Sequence, residues 1–368
     1  MKYSFLVAGL GYIFFFIRYA FQTFIYRSID ESSISEYSLF MAMLMFLPFI
    51  LGLEKHILRS KSIARGGSDK ILFELDNLVF GALMFIVVGF QLDRIMLLVN
   101  ILPIVVLELL ALEISRVLIA KGKAIKATVI GGIRAILPLL SFGLNPHIDM
   151  LFLTLWLVFL TFLLLTILLT GTIELKQFKI NLKFTSSINW IYFISGSVKA
   201  AFPWFTRGLL VFFLGDVNMA NTVIAMSIFA IIEMLVQNFW FTGRYKVIMA
   251  EKLSDWMKFL MISGTIILYI LMFFMFKHLL EMVNILFKKD INENTILLAA
   301  LLSFINIISS VFSLLQIKLG SHLAVIIINT SIYVLSCAII YDLKLGIILL
   351  ALFLVINYAK TYNNNVAQ

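Results

Sequence analysis

Residues 150–169 read MLFLTLWLVFLTFLLLTILL, twenty consecutive positions without a charged side chain. A helix of that length rises about 30 Å, the thickness of a bilayer's hydrocarbon core. Apolar runs of similar length recur on both sides of it along the chain. Composition agrees: of 368 residues, 62% are hydrophobic, 14% aromatic and only 13% charged, and mean hydropathy is +1.05. A soluble domain of this size is excluded. So is a transmembrane β-barrel, whose strands alternate apolar and polar residues and give a much weaker signal.

Setting apolar runs against charged breaks predicts an all-α polytopic membrane protein with about twelve transmembrane helices. The first six approximate spans are 5–26, 37–53, 71–90, 95–114, 127–144 and 150–169. The second six are 190–214, 219–241, 259–276, 295–317, 323–340 and 345–358. The connection 171–189, which carries Lys176, Lys179 and Lys183, is the longest polar stretch near the middle. It predicts an N-terminal six-helix bundle (1–170), a cytoplasmic linker (171–189) and a C-terminal six-helix bundle (190–368). A faint likeness between EYSLFMAM at 36–43 and ANTVIAMS at 220–227 fits an internal duplication, a common transporter construction.

The net charge of +9 is spread over short loops, which reads as a topology signal and not as a nucleic-acid face. Nineteen basic residues, among them Lys55, Arg59, Lys121 and Arg244, fall in one set of alternate loops and the termini, and six fall in the other. Positive loops stay inside, so both termini are expected in the cytoplasm. The N-terminal apolar stretch is too long for a signal-peptide core and contains Arg18, so no cleaved leader is expected. Cys337 is the only cysteine, which leaves no disulfide framework and no thiolate metal site.

Four cations lie inside the apolar spans: Arg18, Arg134, Lys199 and Arg207. A charge at bilayer depth costs about 2.5–3.5 kcal/mol on insertion scales, so such residues usually face a bundle interior or a wet cavity. Lys199 and Arg207 are eight residues apart on one helix, about 80° around its axis, so both can address one cavity. Pro203 lies between them and deletes a backbone hydrogen bond, making it a candidate hinge, as is Pro103 in the fourth span. The competing reading for Arg207 is a stem that snorkels to the headgroups. For Arg18 and Arg134 it is a structural ion pair, with Glu108, Glu233 and, nearer the cytoplasmic edge, Glu113 as partners. Glu108 and Arg134 are at similar depth.

Setting Glu108 and Glu233 against the four cations leaves an excess of about two positive charges, which in a low dielectric calls for an anion. A diphosphate or acidic sugars would supply it. Lys199 is the leading contact and Arg134 the one nearest a purely structural role. Glu108 and Glu233 are also the candidates for coupling to protons or sodium, against the simpler role of neutralising arginines. Ser195, Ser197, Thr206, Asn238 and Asn306 either line a polar path or bond between helices. No phosphate-binding loop, HExxH, CxxC or metal-spaced histidine pair occurs, so neither an enzyme nor a cofactor is expected.

Four stretches carry a family resemblance: ISEYSLF at 34–40, LGLE at 51–54, RVLIAKGK at 116–123 and RGLLVFFLG at 207–215. They are similar to the polysaccharide flippases (Wzx-type, O-antigen and capsule exporters) of the multidrug/oligosaccharidyl-lipid/polysaccharide exporter superfamily. In that family an acidic-aromatic pair opens the second helix, a basic-small-basic loop follows the fourth, and an arginine before a Leu-Gly ends the seventh. The resemblance implies two six-helix bundles that rock around a cationic cavity. It also implies an undecaprenyl-diphosphate-linked oligosaccharide as substrate, moved across the bacterial cytoplasmic membrane for surface polysaccharide assembly. Membrane lipids, a polysaccharide polymerase and chain-length proteins are the implied partners. Arg18, Lys199 and Arg207 occupy helices where the family places cavity cations. Thr206 stands where the family commonly has an aspartate before the arginine. Two other readings are an ion-coupled drug or metabolite antiporter of the same superfamily and a membrane oligosaccharide polymerase. The antiporter would favour acidic intramembrane residues, and the polymerase would show a large external loop.

Overall fold

Short polar residues start four of the described helices. Asp30 accepts from the backbone N–H of Ser33 at 2.9 Å, Asp149 from those of Leu151 and Phe152, Ser254 from that of Met257, and Asn292 from that of Thr295 at 2.8 Å. Each side chain satisfies backbone donors that a first helical turn leaves without partners. In the computed structural model the described residues are 2–52, 63, 71–74, 95–171, 178–181, 190–236, 254–319 and 322–363. Among them are eleven helices: α1 (Lys2–Ser28), α2 (Glu31–Gly52), α3 (Ile95–Ala120), α4 (Ala124–Leu144), α5 (Met150–Leu169), α6 (Trp190–Val236), α7 (Asp255–Phe274), α8 (Phe276–Phe287), α9 (Glu293–Leu319), α10 (His322–Tyr341) and α11 (Leu343–Asn363).

Eight of the described helical stretches are long and apolar enough to cross a bilayer. Their outer faces carry large apolar side chains, such as Phe24, Phe162, Leu169, Phe212 and Val355, that only lipid would cover. The chain is a polytopic helical membrane protein. A straight α6 of 47 residues would run about 70 Å, more than twice a hydrocarbon core. It breaks at Gly215, with φ 78° and ψ 170°, a conformation open essentially to glycine alone. The break falls between the predicted seventh and eighth spans, whereas Pro203 lies within continuous helix.

The described residues are helical almost throughout, with one short exception. Two four-residue strands, β1 (Ile71–Glu74) and β2 (Phe178–Asn181), pair in parallel with Ile71 opposite Phe178 and Glu74 opposite Asn181. The FKIN of β2 alternates apolar and polar residues, the period of a strand, inside what reads as a lysine-bearing linker. β1 also replaces the start of the predicted third span. The rest of that span, the end of the eighth span with Asn238, and the basic loops at 55–70 and 244–252 lie outside the described residues, save Ile63.

The described residues form two compact units whose boundaries differ from the sequence halves 1–170 and 190–368. One comprises Met1–Gln22 and Met43–Ser197; the other comprises Thr23–Ala42, Val198–Gln237 and Glu251–Gln368. The α1–α2 corner joins the second unit because polar contacts hold it there. Lys289 Nζ meets Glu31 Oε1 at 2.6 Å, Ser35 Oγ donates to Asp216 at 2.8 Å, and Arg207 Nη1 donates to the Ser38 carbonyl at 2.8 Å. In the first unit a Cβ placed on Gly132 of α4 would overlap the Phe14 ring of α1, so glycine permits the close approach of these two helices. In the second unit α9 is the most enclosed span, 72% buried.

Candidate functional site

Arg134, on α4, donates through Nη1 to Glu108 Oε2 of α3 at 3.1 Å. Glu108 is buried, and the fully buried Trp156 of α5 is its other polar neighbour. Of the two readings open for Arg134, the ion pair is the one formed. Glu113 pairs within its own helix with Arg116, at 2.7 Å.

Lys199, the leading contact by sequence, is committed to its own unit. Its ammonium donates to the Asn306 carbonyl at 2.9 Å, to Asn306 Oδ1 at 3.0 Å and to Ser309 Oγ at 2.6 Å. An ammonium has three protons, and all three have acceptors. The face of α6 that carries it continues through Phe202, Thr206 and Leu210, all buried, at the spacing of a packed helical stripe. Phe202 lies under the ammonium, 5.8 Å from ring centroid to Nζ. Pro203 leaves the Lys199 carbonyl without its helical donor. One residue earlier, the Val198 carbonyl accepts the hydroxyl of Tyr333 from α10.

Glu233, on the second arm of α6, completes the same cluster. Ser303 Oγ donates to Glu233 Oε1 at 2.7 Å. Having spent its proton there, Ser303 accepts from the Tyr269 hydroxyl at 2.8 Å. The Asn306 side chain also reaches Glu233; with Oδ1 taken by Lys199, its amide N–H group faces the carboxylate. One asparagine thus bridges a cation and an anion. Arg207, held by Ser38, lies within the electrostatic reach of Glu233 as well.

Arg18 differs from the other three. It makes no hydrogen bond or ion pair among the described residues, and it is exposed. Yet Val7, Gly11 and Gln22, which share its face of α1 at the 4-, 7- and 4-residue steps of a helical stripe, are buried. The buried side of α1 therefore opens at the level of Arg18. Pro103 lies exposed within continuous α3. The polar set Tyr269, Ser303 and Ser309 escaped sequence reasoning. Its signal was the ladder Ser303, Asn306, Ser309, Ser313 and Gln316, spaced by three and four along α9.

No cluster of three or more His, Cys, Asp or Glu that could hold a metal occurs among the described residues. No family model, curated protein or solved structure matches this chain.

Proposed function

We propose that the chain is a flippase of the bacterial cytoplasmic membrane that moves undecaprenyl-diphosphate-linked oligosaccharide by alternating access, with twelve spans and both termini in the cytoplasm. One observation carries the reading: Arg18 sits on a face of α1 that is buried above and below it, but is itself exposed and has no hydrogen-bond or ion-pair partner among the described residues. A guanidinium kept at bilayer depth with no carboxylate against it among the described residues calls for an anionic ligand. Its planar fork of donors suits a phosphate group. Arg134 is satisfied by Glu108 and Lys199 by Asn306 and Ser309, so the substrate contact shifts from Lys199 to Arg18, with Arg207 as the second candidate.

The test is deletion of the gene, followed by lipid extraction and complementation. Lipid-linked repeat units should accumulate on the cytoplasmic leaflet, and Arg18→Ala should fail to clear them while still inserting in the membrane. Accumulation on the outer leaflet would point to a polymerase. Normal surface polysaccharide with both Arg18→Ala and Arg207→Ala would overturn the cationic-site mechanism.

A further inference from the structure

The environment of Lys199 has a form that its hydrogen bonds alone do not explain. Three oxygens of α9 converge on one point: the Asn306 carbonyl, Asn306 Oδ1 and Ser309 Oγ, each within 3.0 Å of Nζ. The Asn306 carbonyl is unusually loaded, because Ser309 Oγ and Ser310 Oγ also donate to it, at 2.9 and 2.8 Å. Serines can bond back to their own helix, and here two of them share one backbone carbonyl with a side-chain cation. Carbonyl, amide and hydroxyl oxygens beside a part-buried carboxylate are the donor set that hard cations select. Glu233 supplies the negative charge through Asn306.

We propose that this is a monovalent-cation site whose occupant is the chain's own Lys199 ammonium, a tethered cation standing where a sodium ion would otherwise bind. The oxygens are set by α9, not by the lysine: the serine bonds to Asn306 are local to that helix and do not depend on α6. Glu233 accepts hydrogen bonds from Ser303 and from Asn306, so it is placed as an acceptor and needs a counter-cation nearby. The groups facing it are Ser303 and Asn306 from α9, Tyr269 of α7 through Ser303, and Lys199 and Arg207 from α6. Removing the ammonium should leave a space lined by three oxygens, near a carboxylate that has lost the nearer of its two cations. A sodium ion fits that vacancy; choline, lacking a small unshielded charge, does not. The inference stands whether or not the chain is a flippase.

The experiment uses the full-length protein in lipid nanodiscs, with unfolding followed in NaCl, KCl or choline chloride at equal ionic strength. Wild type should unfold at the same temperature in all three. Lys199→Ala should unfold several degrees higher in NaCl than in choline chloride, with a saturable dependence on sodium. Adding Ser309→Ala, which removes a ligand, or Glu233→Gln, which removes the charge, should abolish that response. Where Lys199→Ala yields no protein, Lys199→Met takes its place, since it keeps the stem against Phe202. Equal unfolding of the lysine variant in the three salts overturns the proposal. So does a sodium response that persists in the Glu233→Gln background, or one already present in wild type.

Discussion

Replacing Arg134 by methionine, which keeps its length but not its charge, tests whether the α3–α4 ion pair is structural. The N···O separation is 3.1 Å, and the two side chains are only 18% and 6% exposed. At an effective dielectric near 20 the attraction is about 5 kcal/mol. Desolvation of both groups offsets much of this, so the intact pair adds little net stability over an apolar pair of the same shape. Breaking it is different, because Glu108 then stays buried with Trp156 as its remaining polar neighbour among the described residues. Arg134→Met should therefore cost about 3–5 kcal/mol. Glu108→Leu leaves a buried guanidinium and should cost a comparable amount. The double variant Glu108→Leu/Arg134→Met should recover most of the loss, giving a coupling of about 3 kcal/mol. Unfolding in lipid nanodiscs measures all four corners of this cycle, and complementation of a deletion strain measures the proposed export. Additive losses in the double variant would refute the structural pair. A double variant with recovered stability but without the proposed export would mean that Arg134 has a role beyond the structural pair.

Three further outcomes are expected. Gly215→Ala places a Cβ at φ 78° and ψ 170°, where space is open but the backbone is not. It should destabilise the protein by about 1–3 kcal/mol, and unchanged unfolding would mean that the break relaxes freely. Gly132→Leu drives a side chain into Phe14 and should cost about 1–3 kcal/mol through overpacking, with Phe14→Ala in the same chain relieving part of it; absence of that relief counts against the close approach. The hydrogen bond from Lys289 lowers the Glu31 carboxyl below its ordinary value of 4.5. Its stabilisation is therefore full above that value and is lost as pH falls through the lowered one. The part-exposed pair should be worth less than about 1 kcal/mol. Lys289→Ala should flatten the acid limb of the stability profile, and an identical limb in both proteins would rule the pair out as its source.

The membrane class was legible because hydropathy over twenty residues records burial in lipid directly, as in α5, where 150–169 is helix at both predicted edges. The Glu108–Arg134 pair was also legible, since two charges at matching depth on consecutive helices have few other partners. The surroundings of Lys199 were not. Its acceptors lie 107 and 110 residues away, and a serine or asparagine in an apolar run looks the same whether it faces a neighbour or a cavity. The ladder on α9 carried that information in its spacing, but only if read as a polar stripe of a buried helix. The β1–β2 pair was hidden for another reason: four residues are too few to establish a period beside lysines that already read as linker.

The hinged-helix reading around Pro203 favoured Lys199 among the four costly cations. Cost is not availability. An ammonium has three donors, and three α9 oxygens consume them, so Lys199 has no proton left to offer a substrate without dismantling the cluster around Glu233. A guanidinium carries five donors in a fixed plane, and at Arg18 none of them is engaged among the described residues. The two residues therefore predict different behaviour on exchange. Arg18→Lys keeps a positive charge but loses the bidentate fork, so it should retain export at a reduced rate if the ligand is a phosphate bound by two parallel hydrogen bonds. Full activity of Arg18→Lys would mean that the site reads charge only.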